Sequence, residues 1–183
     1  MNLANNLTLL RVVLAPAFVS CLVYYGPGRE GLLKVAVFIF ILACATDALD
    51  GFFARKLGQV TVFGSYVDPL ADKLLLVSGF LSLSLMANLP PSIRIPAWVT
   101  IPVVTRDLVI LTGSTVVYVV TGRLISKPLL ISKLTTLFQM ITLFAALISA
   151  PHVVRLCLYA ATVALTVVSG FRYLRLGGRL IQS

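Results

Sequence analysis

The chain has 183 residues, 59% hydrophobic and only 11% charged, with a mean hydropathy of +1.02. Soluble domains carry about 25% charged residues, so a soluble globular protein is excluded, and residues 1–183 read as a single membrane domain with no polar half. The net charge of +9 comes from scattered Lys and Arg without a basic run interleaved by aromatics, so nucleic acid is not an expected partner. Such cations mark cytoplasmic helix ends and contacts to anionic headgroups.

A membrane-spanning helix needs about 20 predominantly apolar residues. Six stretches qualify in chain order: Leu7 to Tyr25, Leu32 to Phe53, Val67 to Asn88, Pro96 to Val120, Leu129 to Ala150 and Val153 to Leu174. The breaks carry turn chemistry: Gly26-Pro27-Gly28, Leu57-Gly58-Gln59, Pro90-Pro91, Thr121-Gly122-Arg123 and Ala150-Pro151-His152. The expected fold is therefore all-α and polytopic, with six transmembrane helices. Cys21, Cys44 and Cys157 lie in apolar segments and read as small hydrophobes. No Lys or Arg precedes Arg11 and no small-residue cleavage site is evident, so no removable signal peptide is expected.

Six spans put both termini on one side. Arg11, Arg55, Lys56, Lys73, Arg123, Lys127, Lys133, Arg172, Arg175 and Arg179 fall on that side, against Arg29, Lys34, Arg94 and Arg155 on the other. The positive-inside bias then places both termini in the cytoplasm.

The chain has six acidic residues, and four of them, Asp47, Asp50, Asp68 and Asp72, flank the second loop inside otherwise apolar helix ends. Asp47 and Asp50 are three apart and Asp68 and Asp72 four apart, so each pair shares one helix face. Four clustered carboxylates repel one another, and divalent cations relieve that repulsion. Oxygen-only ligands suit hard ions such as magnesium, calcium or manganese. Structural pairing with cations is the competing reading, but only Arg55, Lys56 and Lys73 lie nearby and the acids outnumber them.

The spacing is more specific than the clustering. The stretch reads Asp47-Ala-Leu-Asp50-Gly51-Phe-Phe-Ala54-Arg55, then Gly64, Asp68 and Asp72 at fixed intervals. It resembles the signature of the CDP-alcohol phosphatidyltransferases, membrane enzymes that make phospholipids from CDP-diacylglycerol. All eight fixed positions agree. The resemblance implies two bound magnesium or manganese ions held by Asp47, Asp50, Asp68 and Asp72, with Asp72 also the general base on the acceptor hydroxyl. It implies CDP-diacylglycerol contacts at Gly51, Ala54, Arg55, Thr61 and Gly64. Read physically, the small residues permit close approach, and Arg55 offers a fork to a diphosphate. Asn5, Thr8 and Arg11 recur every three residues along the first span, like an Asn-x-x-Thr-x-x-Arg element that borders the nucleotide-lipid pocket in relatives; the competing reading is interfacial capping and snorkelling. Ala4 stands where relatives usually have Pro.

The resemblance also implies a site facing the cytoplasm from a bacterial inner membrane, surrounding membrane lipids as partners, and a homodimer. Candidate acceptor contacts are Arg106, Asp107, Arg123, Lys127, Ser132 and Lys133. Two branches fit. The phosphatidylglycerophosphate synthases use glycerol-3-phosphate and need cationic phosphate contacts, and this is the leading expectation. The CDP-diacylglycerol-dependent cardiolipin synthases use phosphatidylglycerol, and the run from Lys127 to Thr136, with Arg106-Asp107, resembles theirs. Outside this family, a divalent-cation transporter could use four Asp residues, but its site belongs nearer the bilayer midplane, and no inverted repeat is visible.

Overall fold

The computed structural model describes the backbone of residues 3–57, 62–121 and 130–181, and the side chains of 10–46, 73–113, 115 and 130–175. The described residues form six helices and no strands: α1 (Leu3–Val23), α2 (Gly31–Leu57), α3 (Val62–Leu85), α4 (Ala97–Thr121), α5 (Leu130–Leu147) and α6 (His152–Ile181). Each expected span falls on one helix. The bounds differ at the edges: α5 stops inside its stretch, whereas α1 and α3 start before theirs and α2 and α6 continue past theirs, because a backbone ladder runs on through polar residues that a hydropathy criterion rejects. Thus α3 begins at Val62, ahead of the expected Val67, and Asp68 lies within the helix rather than at its start.

Turn residues close the elements as their chemistry requires. Gly28 takes a φ of +79°, a region open to glycine, and the Arg29 amide donates to the Gly26 carbonyl at 2.9 Å. At the end of α5, Ser149 is left-handed with φ 53°. There the Ser149 amide donates to Ala146 O at 3.0 Å and the Ala150 amide to Ala145 O at 2.9 Å, satisfying the last carbonyls of the helix.

The chain divides into two compact units, residues 1–94 with 146–149 and residues 95–145 with 150–183. In the first, α1 packs against both α2 and α3. Its core includes Ala15, Phe18 and Leu22 of α1, Ala36, Phe40 and Ala43 of α2, and Leu76, Phe80 and Leu83 of α3. The Phe18 and Phe40 rings lie 6.0 Å apart in a tilted arrangement. In the second unit α4 packs on α6, and Trp98 meets Tyr159 edge-on at 6.3 Å. Large apolar side chains point outward from every helix, among them Val13, Phe38, Leu85, Ile101, Leu130 and Val153. Among the described residues, α5 (Leu130–Leu147) and His152–Arg175 of α6 are long and apolar enough to cross a membrane.

A long-range cap holds the end of α1. The Asn88 amide nitrogen donates to the carbonyls of Leu22 at 2.9 Å, Val23 at 3.2 Å and Tyr25 at 2.9 Å. Asn88→Ala should lower unfolding stability by about 1–2 kcal/mol, read by thermal unfolding in detergent. Asn88→Asp should cost more than Asn88→Ala, because a carboxylate cannot donate and would face three carbonyl oxygens.

Candidate functional site

The buried rows of the first unit lead directly to the acidic positions. On α2, Ala36, Phe40 and Ala43 recur at four and three residues and are buried, and Asp47 and Asp50 occupy the next positions of the same row. On α3, Asp68 and Asp72 precede Leu76 and Phe80 by successive intervals of four, so they begin the row that the core completes. At 1.5 Å per residue, Asp50 stands about 10 Å before the end of α2 at Leu57, and Asp68 about 9 Å after the start of α3 at Val62. Asp47 and Asp72 each stand about 15 Å from the same ends. Each acidic pair therefore lies a similar distance along its own helix from the end nearer the α2–α3 connection, and α1 packs against both helices. A four-carboxylate, oxygen-only set fits a hard divalent ion in donor chemistry.

Of the expected site residues, Asn5 and Thr8 lie on α1, Asp47, Asp50, Gly51, Ala54 and Arg55 on α2, and Gly64, Asp68 and Asp72 on α3. Their side chains lie outside the described residues, and Thr61, Arg123 and Lys127 lie outside them altogether. Arg11 is described, and it is only 2% exposed. It shares the α1 row of Ala15, Phe18 and Leu22, so this arginine is buried with the core rather than snorkelling to an interface.

The second unit holds a different constellation. Arg106 and Asp107 of α4 are 6% and 2% exposed. Although neighbours on a helix point about 100° apart, the Arg106 side chain bends so that Nη1 donates to Asp107 Oδ1 at 2.7 Å. Its Nη2 donates to Ser132 Oγ of α5 at 2.6 Å and to Ser169 Oγ of α6. One guanidinium thus ties three helices together. Gly170 leaves space beside it, since a Cβ added there would lie 3.6 Å from Arg106 Cγ. Lys133, the residue after Ser132, is exposed. Sequence reasoning did not single out Ser169. Its signal was present in the polar spacing Thr162, Thr166, Ser169 along an apolar helix.

The family model described as CDP-alcohol phosphatidyltransferase matches residues 1–168. That covers all of the first unit, most of the second, and both helices that carry the signature. The chain belongs to the CDP-alcohol phosphatidyltransferase family. It is 40% identical to a probable phosphatidylglycerophosphate synthase of Mycobacterium tuberculosis, over 94% of this chain and 79% of that protein. It is 36% identical to a CDP-diacylglycerol–glycerol-3-phosphate 3-phosphatidyltransferase of Bacillus subtilis, over 94% and 93% of the two chains. A Yersinia pestis protein of the same name is 36% identical over 95% and 93%. As a member of this family the chain is a phosphatidyltransferase of phospholipid biosynthesis, an enzyme whose donor class is a CDP-linked lipid.

The Arg106 clamp makes a stability prediction. Arg106→Ala removes a charged partner of a carboxylate that is 1% exposed, and breaking a buried pair costs about 3–5 kcal/mol. The double change Arg106→Met with Asp107→Leu should cost clearly less, because no buried charge is then left uncompensated. Thermal unfolding of the two variants beside the unaltered protein reads the difference.

Proposed function

We propose that this family member transfers the phosphatidyl group of CDP-diacylglycerol to glycerol-3-phosphate, releasing CMP, as a phosphatidylglycerophosphate synthase. The observation that carries the reading is the complete signature on α2 and α3 in a chain that aligns almost end to end with relatives named for that reaction. The names of those relatives also rank glycerol-3-phosphate above phosphatidylglycerol as acceptor.

In this reading Asp47, Asp50 and Asp68 hold two magnesium or manganese ions, and Asp72 stands at the same site. The four-carboxylate, oxygen-only donor set on α2 and α3 supports that assignment. Such ions, when bound, neutralise charge on the diphosphate and on the leaving oxygen. Arg55 grips the diphosphate, and Asn5, Thr8, Gly51, Ala54, Thr61 and Gly64 border the CDP-lipid. Asp72 accepts the proton of the acceptor hydroxyl as general base. The hydroxyl oxygen then bonds to the phosphorus bearing diacylglycerol as the bond to the bridging oxygen breaks, and CMP departs. Division of labour among the carboxylates is required, because a base bound tightly to metal loses basicity.

Arg123, Lys127 and Lys133 are the cations for the acceptor phosphate. Lys133 makes no ion pair among the described residues and is open to such a ligand. Arg106 joins this set by exchanging a serine hydroxyl for a phosphate oxygen.

All six helices span a bacterial inner membrane, with both termini and the catalytic face in the cytoplasm, surrounded by membrane lipids and paired as a homodimer. The coincidence of six helices with six apolar stretches, the outward apolar side chains and the Lys/Arg bias support the topology. The homodimer follows from the family resemblance.

The test is purified protein with CDP-diacylglycerol, manganese or magnesium, and separate acceptors: glycerol-3-phosphate, phosphatidylglycerol, inositol phosphate and serine, with lipid products identified by mass. Metal-dependent CMP release with glycerol-3-phosphate is expected. Turnover with phosphatidylglycerol alone would move the chain to the cardiolipin synthase branch, and no CMP with any acceptor would overturn the reading. Asp72→Asn should lose turnover by about 10²-fold or more while CDP-diacylglycerol binding persists. Full activity in that variant rules out Asp72 as the base.

A further inference from the structure

The contact between α5 and α6 in the second unit is unusually polar. On α5, Thr135, Gln139 and Thr142 follow one another at four and three residues, and all three are fully buried. On α6, Thr162, Thr166 and Ser169 repeat the same spacing and are at most 1% exposed. The two rows face each other in antiparallel register. Thr142 Oγ1 and Thr162 Oγ1 share a hydrogen bond of 2.7 Å, and Thr135 Oγ1 lies 3.3 Å from Leu165 O.

Both ends of the seam are satisfied. Thr135 also donates to Ile131 O at 2.8 Å, and Ser169 is bonded to Arg106. The middle is not. Gln139 Nε2 and Oε1, and Thr166 Oγ1, are buried without a hydrogen-bond partner among the described residues. Gln139 sits between Thr135 and Thr142, so the register places it opposite the stretch from Thr162 to Thr166. Helical side chains incline towards the N-terminus of their own helix. On antiparallel helices, Gln139 and Thr166 therefore incline towards each other.

A primary amide has two donors and an acceptor oxygen with two lone pairs, and native interiors rarely leave such a group unmet. Surrounding apolar side chains cannot supply partners. The usual solution is internal water, which makes about three hydrogen bonds to buried polar groups that the fold leaves over. We propose that the α5–α6 seam is a water-binding site, in which ordered water bridges the Gln139 amide to the Thr166 hydroxyl. The bridge lies about one helical turn from Ser169, and holds α5 and α6 in register beside the Arg106 clamp. It is independent of the acceptor assignment.

The test uses the full chain in lipid bilayers, labelled with ¹⁵N at its three glutamines, Gln59, Gln139 and Gln182. Water-edited solid-state NMR should show magnetisation passing from water to the Gln139 side-chain amide, the signal being assigned by its loss in Gln139→Leu. Thr166→Val removes one anchor at nearly constant shape, so it should weaken that transfer and lower the melting temperature. No transfer to Gln139 in the unaltered protein overturns the proposal. So does a raised or unchanged melting temperature in Thr166→Val, since deleting a merely orphaned hydroxyl is neutral or stabilising.

Discussion

Polar groups buried among apolar helices must find their partners inside the protein, because neither hydrocarbon nor an apolar core supplies any. The second unit is organised by that constraint. The Arg106 guanidinium sits in α4 at 6% exposure with Asp107 balancing its charge and Ser132 and Ser169 accepting two further hydrogen bonds. Each of those bonds is directional, so the pair and the two serines do more than neutralise charge. They specify which faces of α5 and α6 turn inward. Apolar packing alone discriminates poorly among rotations of a helix that is oily on every side.

The first unit meets the same constraint differently. Its rows are apolar over most of their length, with Ala15 and Phe18 of α1 buried alongside Ala36 and Phe40 of α2 and Leu76 and Phe80 of α3. Towards the connection between α2 and α3 the same rows pass into Asp47, Asp50, Asp68 and Asp72. The apolar part of each row fixes the rotation of its helix. Small residues at Ala36 and Ala43 let α1 come close.

Much of this was legible before any fold was known. The six helices follow from apolar stretches separated by Gly and Pro, and the acidic pairs follow from spacings of three and four, which put residues on one helix face. Eight fixed positions then pointed to the phosphatidyltransferase family, which the match over residues 1–168 bears out. The start of α3 was less legible, because hydropathy reports where a helix is oily and not where its backbone ladder begins.

The sequence by itself thus determined the helices, the helix faces that carry the aspartates, and the family, since these depend on local spacing and residue type. Only the tertiary structure decided that Arg11 is buried rather than reaching an interface. It alone decided that Arg106 is shared among Asp107, Ser132 and Ser169, residues as far as 63 positions apart. It also decided that the polar rows of α5 and α6 face each other. The reason is physical: spacing along a helix says which residues share a face, but which face meets which partner is chosen by packing between helices distant in the chain.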